Sequence, residues 1–149
     1  MNRYATVAGA AMLVLTGVGS VARASDSMER VDWPQRGKTL SLSIYHPNVG
    51  TPKGTIVMAG GDVGWVGLAV TMAQHLAAQG YVVVGINVRQ YLSAYTAGAS
   101  HLSPVDVQRD YADLSRYLKG RGLLRSPVIV SGVSEGAALA VLADRKSVV

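Results

Sequence analysis

The chain has no cysteine. Disulfide scaffolds, thiolate metal sites and lipid attachment through a cysteine are therefore excluded. Charge is sparse as well: Asp, Glu, Lys and Arg make up 15% of the residues, against 49% hydrophobic. A disordered, highly charged tail has the opposite balance, so the composition is that of a globular protein. The 14 Lys and Arg against 9 Asp and Glu leave a formal charge of +5. Two of the positive charges, Arg3 and Arg23, belong to the N-terminal segment. Without them, 12 positive against 9 negative charges leave +3 with no dense basic cluster. A nucleic-acid footprint gathers Lys and Arg on one face, and none is present. At 149 residues the chain has room for one domain. It is long enough to bury a core and short for a complete α/β enzyme.

Long apolar runs are lacking too. The best one, Ala8 to Val18, is interrupted by Thr16 and Gly17 and followed by Gly19 and Ser20. It falls short of the roughly 20 apolar residues that a membrane span requires. Arg3 precedes it as a short positive region, and Ala22-Arg23-Ala24 follows as a small-residue cleavage site. That order is the pattern of a secretory signal, with a membrane anchor as the alternative. The expectation is a signal peptide over 1–24, cleaved after Ala24, and a bacterial mature protein that is periplasmic or secreted. No transmembrane segment would remain after cleavage.

What is present reads as alternating strands and helices. Residues 25–38 are polar and read as a loop or frayed start. From Thr39 to Tyr45 the apolar residues Leu40, Leu42 and Ile44 alternate, as in a half-buried strand. Prolines and glycine punctuate the stretch from His46 to Pro52 as turn chemistry. Gly54 to Ala59 and Tyr81 to Asn87 are short, continuously apolar runs suited to central strands. Between them, Trp65, Leu68, Ala69, Met72 and Leu76 recur at helical spacing, with Gly80 as the stop. A loop is expected after Asn87, through Ser100. Ser103 as N-cap, Pro104 at the first position and Asp106 in the first turn then open a helix toward Lys119. Pro127 to Ser131 is the next strand, and Ala137 to Ala143 starts a further helix. Apolar strands separated by amphipathic helices imply an α/β fold, a largely parallel sheet flanked by helices.

Gly132-Val133-Ser134-Glu135-Gly136 is a G-x-S-x-G sequence. In a chain with 17 glycines the spacing alone is weak. Its position between an apolar strand and an alanine-rich helix gives it weight, because a nucleophile elbow needs that strand–turn–helix. The turn strains the serine backbone, and Gly132 and Gly136 avoid clashes with strand and helix. Ser134 then stands at a helix N-terminus, where free N–H groups stabilise developing negative charge. The alternative is a glycine-rich turn with an idle serine. Acyl transfer also needs two backbone donors for the oxyanion. One would be the Glu135 N–H. The other would come from Gly60-Gly61-Asp62-Val63-Gly64 after an earlier strand, with Asp62 favoured over Val63. The alternative, a loop that cradles phosphate, is the weaker reading, because the loop lacks G-x-G-x-x-G and the Lys-Ser/Thr of a P-loop.

Taken together, Gly61-Asp62-Val63-Gly64-Trp65, Gly80-Tyr81-Val82-Val83-Val84-Gly85, Asp110-Tyr111 and Gly132 to Ala137 resemble the bacterial virulence protein VirJ/AcvB family. The resemblance covers roughly Gly54 to Ala143. It implies an exported α/β-hydrolase, related in fold to dienelactone hydrolases, acting on an ester bond. Hydrolysis of aminoacylated phosphatidylglycerol is associated with this family, so the implied partner is an ester substrate, a lipid among the candidates. No metal or cofactor is implied. Glu135 departs from the resemblance, which has an uncharged residue after the serine, and the departure bears on the substrate. An acid in the first turn of a helix is favourable in its own right. A sharper reading is that Glu135 and Asp62 make the pocket mouth negative and attract a cationic substrate group.

The last thing missing is a base. A catalytic serine needs a histidine and an orienting acid, in the order Ser, acid, His for elbow enzymes. His46, His75 and His101 all precede Ser134, and only Asp144 follows as an acid, too close on the same helix. The expectation is a fold truncated after the elbow helix, with 39–143 the N-terminal part of a hydrolase domain. Residues 144–149 would be a non-native tail, and the chain as it stands inactive. A non-catalytic exported binding protein on the same fold, or a small-molecule esterase of dienelactone type, are the alternatives.

Overall fold

The computed structural model describes residues 28–48, 50–96 and 102–144. The segment read as an export signal, His101 and residues 145–149 lie outside them. Among the described residues, no helix is long and apolar enough to cross a membrane.

The chain opens with a hairpin, β1 (Met28–Gln35) and β2 (Lys38–Tyr45), where the sequence reading places a loop before a single strand. The correction has a physical reason. Val31, Trp33 and Gln35 alternate as buried residues along β1. Arg36 and Gly37 both take positive φ, 50° and 71°, which is the two-residue turn that matches the twist of a hairpin. The polar residues between those anchors face outward and disguise the strand.

Three parallel strands follow: β3 (Thr55–Ala59), β4 (Val82–Ile86) and β5 (Val128–Gly132). The spatial order is β1-β2-β4-β3-β5, with β1 and β2 antiparallel to their neighbours. The sheet is therefore mixed, its parallel part lying where the apolar runs predict it. Helix α1 (Leu68–Ala78) connects β3 to β4. Helices α2 (Val88–Thr96) and α3 (Pro104–Gly120) connect β4 to β5, and α4 (Glu135–Asp144) follows β5. α2 occupies a stretch read from sequence as loop. Its Val88, Tyr91 and Tyr95 are buried at helical spacing, a signal diluted by polar neighbours.

The two crossovers run in opposite directions along the sheet. Right-handed connection then puts their helices on opposite faces, and the core divides accordingly. Tyr45, Ile56, Met58 and Val83 pack with Ala73 and Ala77 of α1 on one face. Leu42, Ile44, Val57, Val84 and Ile86 pack with Tyr91, Val107, Leu114, Leu118 and Leu139 on the other. α3 starts where the sequence says it does. Ser103 caps it and accepts the Asp106 N–H at 3.2 Å, while the Asp106 carboxylate accepts the Ser103 N–H at 3.1 Å. This reciprocal box satisfies donors that the first turn would leave open.

A buried polar cluster ties hairpin to helices. Asp110 is 2% exposed and accepts hydrogen bonds from Tyr91 at 2.9 Å and from Tyr95. The Arg36 guanidinium reaches it from the hairpin turn at 3.3 Å and also pairs with Asp106 at 3.0 Å. Arg36 stacks over the Tyr95 ring, 4.1 Å from its centre. Burial, followed by the neighbouring Asp110 charge, pushes the Tyr91 phenol far above its ordinary range.

Candidate active site

In open α/β sheets the ligand crevice forms beyond the C-terminal ends of strands, where neighbouring strands send their connections to opposite faces. Here that point lies between β3, whose chain leaves toward α1, and β5, whose chain leaves into α4. The two predicted segments meet there.

The first is the elbow. The Val133 N–H donates to the Ala59 carbonyl at 3.0 Å, carrying the β5 ladder one residue past Gly132. The chain then reverses at once. Ser134 takes φ 55°, a left-handed conformation that costs a side-chain-bearing residue about 1–2 kcal/mol. Gly136 N–H to Val133 and Ala137 N–H to Ser134 start α4 at 3.0 and 2.9 Å. So tight a reversal leaves no space beside it. A Cβ on Gly132 would lie 2.1 Å from the Gly136 carbonyl, and one on Gly136 would lie 2.3 Å from the carbonyl oxygens of Ala59 and Gly60. Ser134 itself is exposed at the tip.

The second is the loop after β3. Gly60 N–H donates to Ile86 at 2.9 Å, and Gly64 N–H to Gly61 at 2.9 Å, closing a turn with Asp62 and Val63 at its apex. Gly64 has φ 96° and lies against the Asn87 carboxamide. A Cβ on Gly61 would be 3.4 Å from the Ser134 Cβ and 4.0 Å from its Oγ, so the Gly61 backbone lies directly beside the serine. Beyond the loop, Trp65 precedes α1 instead of beginning it. Its indole covers Gly85 and donates to the Tyr45 hydroxyl at 3.1 Å, which holds the loop to the sheet.

The backbone donors are unequal. Val63 N–H is taken by the Asp62 carboxylate at 3.0 Å. Among the described residues, no acceptor takes the N–H of Asp62 or of Glu135. Both side chains are exposed, and neither carboxylate forms an ion pair with a described residue.

The structure places the histidines elsewhere. Register puts Tyr45 beside Val83 and Ile86 beside Ala59. His46, just past Tyr45, therefore lies at the opposite end of the sheet from Ser134, 3.0 Å from Glu29. His75 is exposed in the last turn of α1, also toward that end. Asp144 is exposed at the end of α4. Sequence reasoning missed Asn87, whose carboxamide backs Gly64 and whose Oδ1 accepts the Gln90 N–H at 3.3 Å. Its position directly after an apolar strand is the signal that points to it.

Comparison with known proteins agrees with this architecture. Residues 54–145 match the family model described as bacterial virulence protein (VirJ). No curated protein sequence matches the chain. Among solved structures, the esterase domain of a Rhodothermus marinus protein aligns with a TM-score of 0.53 and 20% identity, over 75% of this chain and 42% of its own. A cold-adapted esterase from an Arctic intertidal metagenomic library gives 0.59 and 16%, over 78% and 54%. An α/β serine hydrolase without a lid from Xanthomonas campestris gives 0.54 and 17%, over 78% and 55%. These likenesses show an α/β-hydrolase fold. The chain spans about half the length of the structures it matches.

Proposed function

Since the chain belongs to the VirJ family of bacterial virulence proteins, we propose that it is a serine hydrolase acting on a carboxylic ester through an acyl-enzyme. Ser134 Oγ attacks the ester carbonyl while a base takes its proton. The tetrahedral oxyanion is held by the Glu135 and Asp62 N–H groups. The protonated alcohol leaves, and water then releases the acid by the same route. The observation that carries the reading is the exposed serine at φ 55° on a strand–helix reversal, with the Gly61 backbone beside it. The N–H groups of Glu135, next in the chain to that serine, and of Asp62, next to Gly61, have no acceptor among the described residues. Occupation of the Val63 N–H by its neighbour's carboxylate favours Asp62 as the second donor.

The base and its orienting acid are proposed to come from sequence that follows Ala143 in the gene, because neither described histidine lies at that end of the sheet. By itself the chain is then inactive. For the substrate, the exposed Asp62 and Glu135 carboxylates at the site favour an ester with a cationic group, of which an aminoacylated phosphatidylglycerol is one. Export to the periplasm or medium is proposed from the pattern of residues 1–24. A second reading, an exported binding protein on the same fold without catalysis, is favoured only by the lack of a described histidine near Ser134.

The test is to read the gene onward past the codon for Ala143, express the resulting protein and treat it with a fluorophosphonate probe. Labelling that disappears in Ser134→Ala supports the hydrolase. A folded protein that carries a later Asp and His and yet is not labelled would sink it and leave the binding protein in front.

A further inference from the structure

On the α1 side of the sheet, beside the loop that ends in Trp65, lies a cleft of about 80 Å³ lined by Arg30, Ser41, Ser43, Trp65, Asn87 and Gln90. Strand register assembles it. Arg30 pairs with Ser43, and Ser43 with Gly85, so one row across the sheet carries a guanidinium, a hydroxyl and then no side chain. Trp65 fills the space over Gly85, where a Cβ would lie 2.2 Å from its ring, and forms one wall. Asn87, against Gly64, connects the cleft to the loop beside Ser134.

The hydrogen bonds around the cleft decide what it can hold. Gln90 Oε1 accepts the Ser41 N–H at 3.4 Å, and Asn87 Oδ1 accepts the Gln90 N–H at 3.3 Å. Each carboxamide thus commits its oxygen to the backbone and keeps its NH₂ group as a donor. Arg30 forms no ion pair with a described residue, Asp32 on the same side of β1 included. The lining therefore offers a guanidinium, two NH₂ groups and two hydroxyls, with no carboxylate among its residues. Such a donor set suits a compact oxyanion, and the guanidinium fork matches two oxygens of one phosphate.

We propose that this cleft binds a phosphate group, free or as a phosphodiester, alongside the loop that approaches Ser134. The proposal is independent of the catalytic role of the serine, since binding is measured without turnover. Arg30 and Gln90 are exposed, so substituting them leaves the core intact, and circular dichroism checks this. The full chain is titrated separately with inorganic phosphate and with glycerophosphoglycerol at constant ionic strength. The side-chain N–H signals of Arg30, Trp65, Asn87 and Gln90 are followed by NMR. Saturable shifts at these four residues are expected, with Kd raised about tenfold or more by Arg30→Gln and by Gln90→Glu. Tighter binding of the diester identifies the occupant as part of a larger substrate, and equal or weaker binding identifies it as free anion; both support the cleft. Shifts that do not saturate, or that persist unchanged in both variants, would overturn it.

Discussion

Gly136→Ala tests the packing on which the site depends. The added methyl would sit 2.3 Å from two carbonyl oxygens, those of Ala59 and Gly60. Both are backbone atoms, one at the end of β3 and one at the start of the loop beside Ser134, so neither can swing aside. Restoring even a 3.0 Å contact moves α4 away from β3 by about 0.7 Å, an overpacking that costs about 1–3 kcal/mol. At roughly 4 °C per kcal/mol for a domain of this size, Tm falls by about 4–12 °C. The same displacement moves the Glu135 N–H and the Ser134 Oγ relative to Asp62. A misplacement near 1 Å can cost about a hundredfold in rate, so in the protein read onward past Ala143 fluorophosphonate labelling should slow by a comparable factor at a temperature where the variant is folded. The control is Gly120→Ala, in the last turn of α3, where a Cβ meets nothing within 4 Å. It should leave labelling unchanged and raise stability by about 0.5–1 kcal/mol. Melting is read by circular dichroism. If Gly136→Ala melts with the parent protein and labels at the parental rate, α4 does not pack this closely and the elbow geometry is wrong.

Asp110→Ala removes the acceptor of the Tyr91 and Tyr95 hydroxyls, which keep only each other at 3.2 Å, and the buried partner of Arg36. A loss of about 3 kcal/mol is expected, seen as a lower urea midpoint at unchanged slope; a loss below about 1 kcal/mol would contradict the network. Tyr111→Phe should be neutral or slightly stabilising in the same assay, because the buried Tyr111 hydroxyl has no hydrogen-bond partner among the described residues. Asp106 responds to acid. Hydrogen bonds from the Ser103 side chain and backbone, followed by Arg36, hold its carboxyl at about 2. A depressed folded-state pKa means that its contribution is fully present above the unfolded value near 4 and is lost as pH falls toward 2. Asp106→Asn should therefore flatten the acid limb of stability against pH over that window; an unaltered limb would show that the cap does not govern it.

Local pattern carried much of the fold. The continuous apolar runs of β3 and β4 predicted buried parallel strands, because only strands covered on both faces exclude polar residues throughout; β5 is as apolar but lies at the sheet edge, with Val128 and Ile129 exposed. The capping residues of α3 announced its start, since Ser, Pro and Asp there satisfy a first turn chemically. The elbow was legible for a similar reason: two glycines at fixed offsets from a serine are what a strand-to-helix reversal demands. β1 and α2 were less legible because their buried apolar residues are few, Val31 and Trp33 in one and Val88, Tyr91 and Tyr95 in the other. Their outward faces are polar enough to pass for loop.

The sequence by itself determined the order of strands and helices from β2 onward except α2, the class of fold and the reversal at Ser134. Each of these follows from side-chain periodicity or backbone sterics within a few residues. Only the tertiary structure decided that the Gly61 backbone lies against that serine, that the Val63 N–H is taken while no described residue takes that of Asp62, and that Arg36 reaches Asp110. It alone brought Arg30, Ser43, Trp65 and Asn87 around one cleft. Those juxtapositions depend on strand register and on which face each crossover takes, and no local stretch of sequence encodes either.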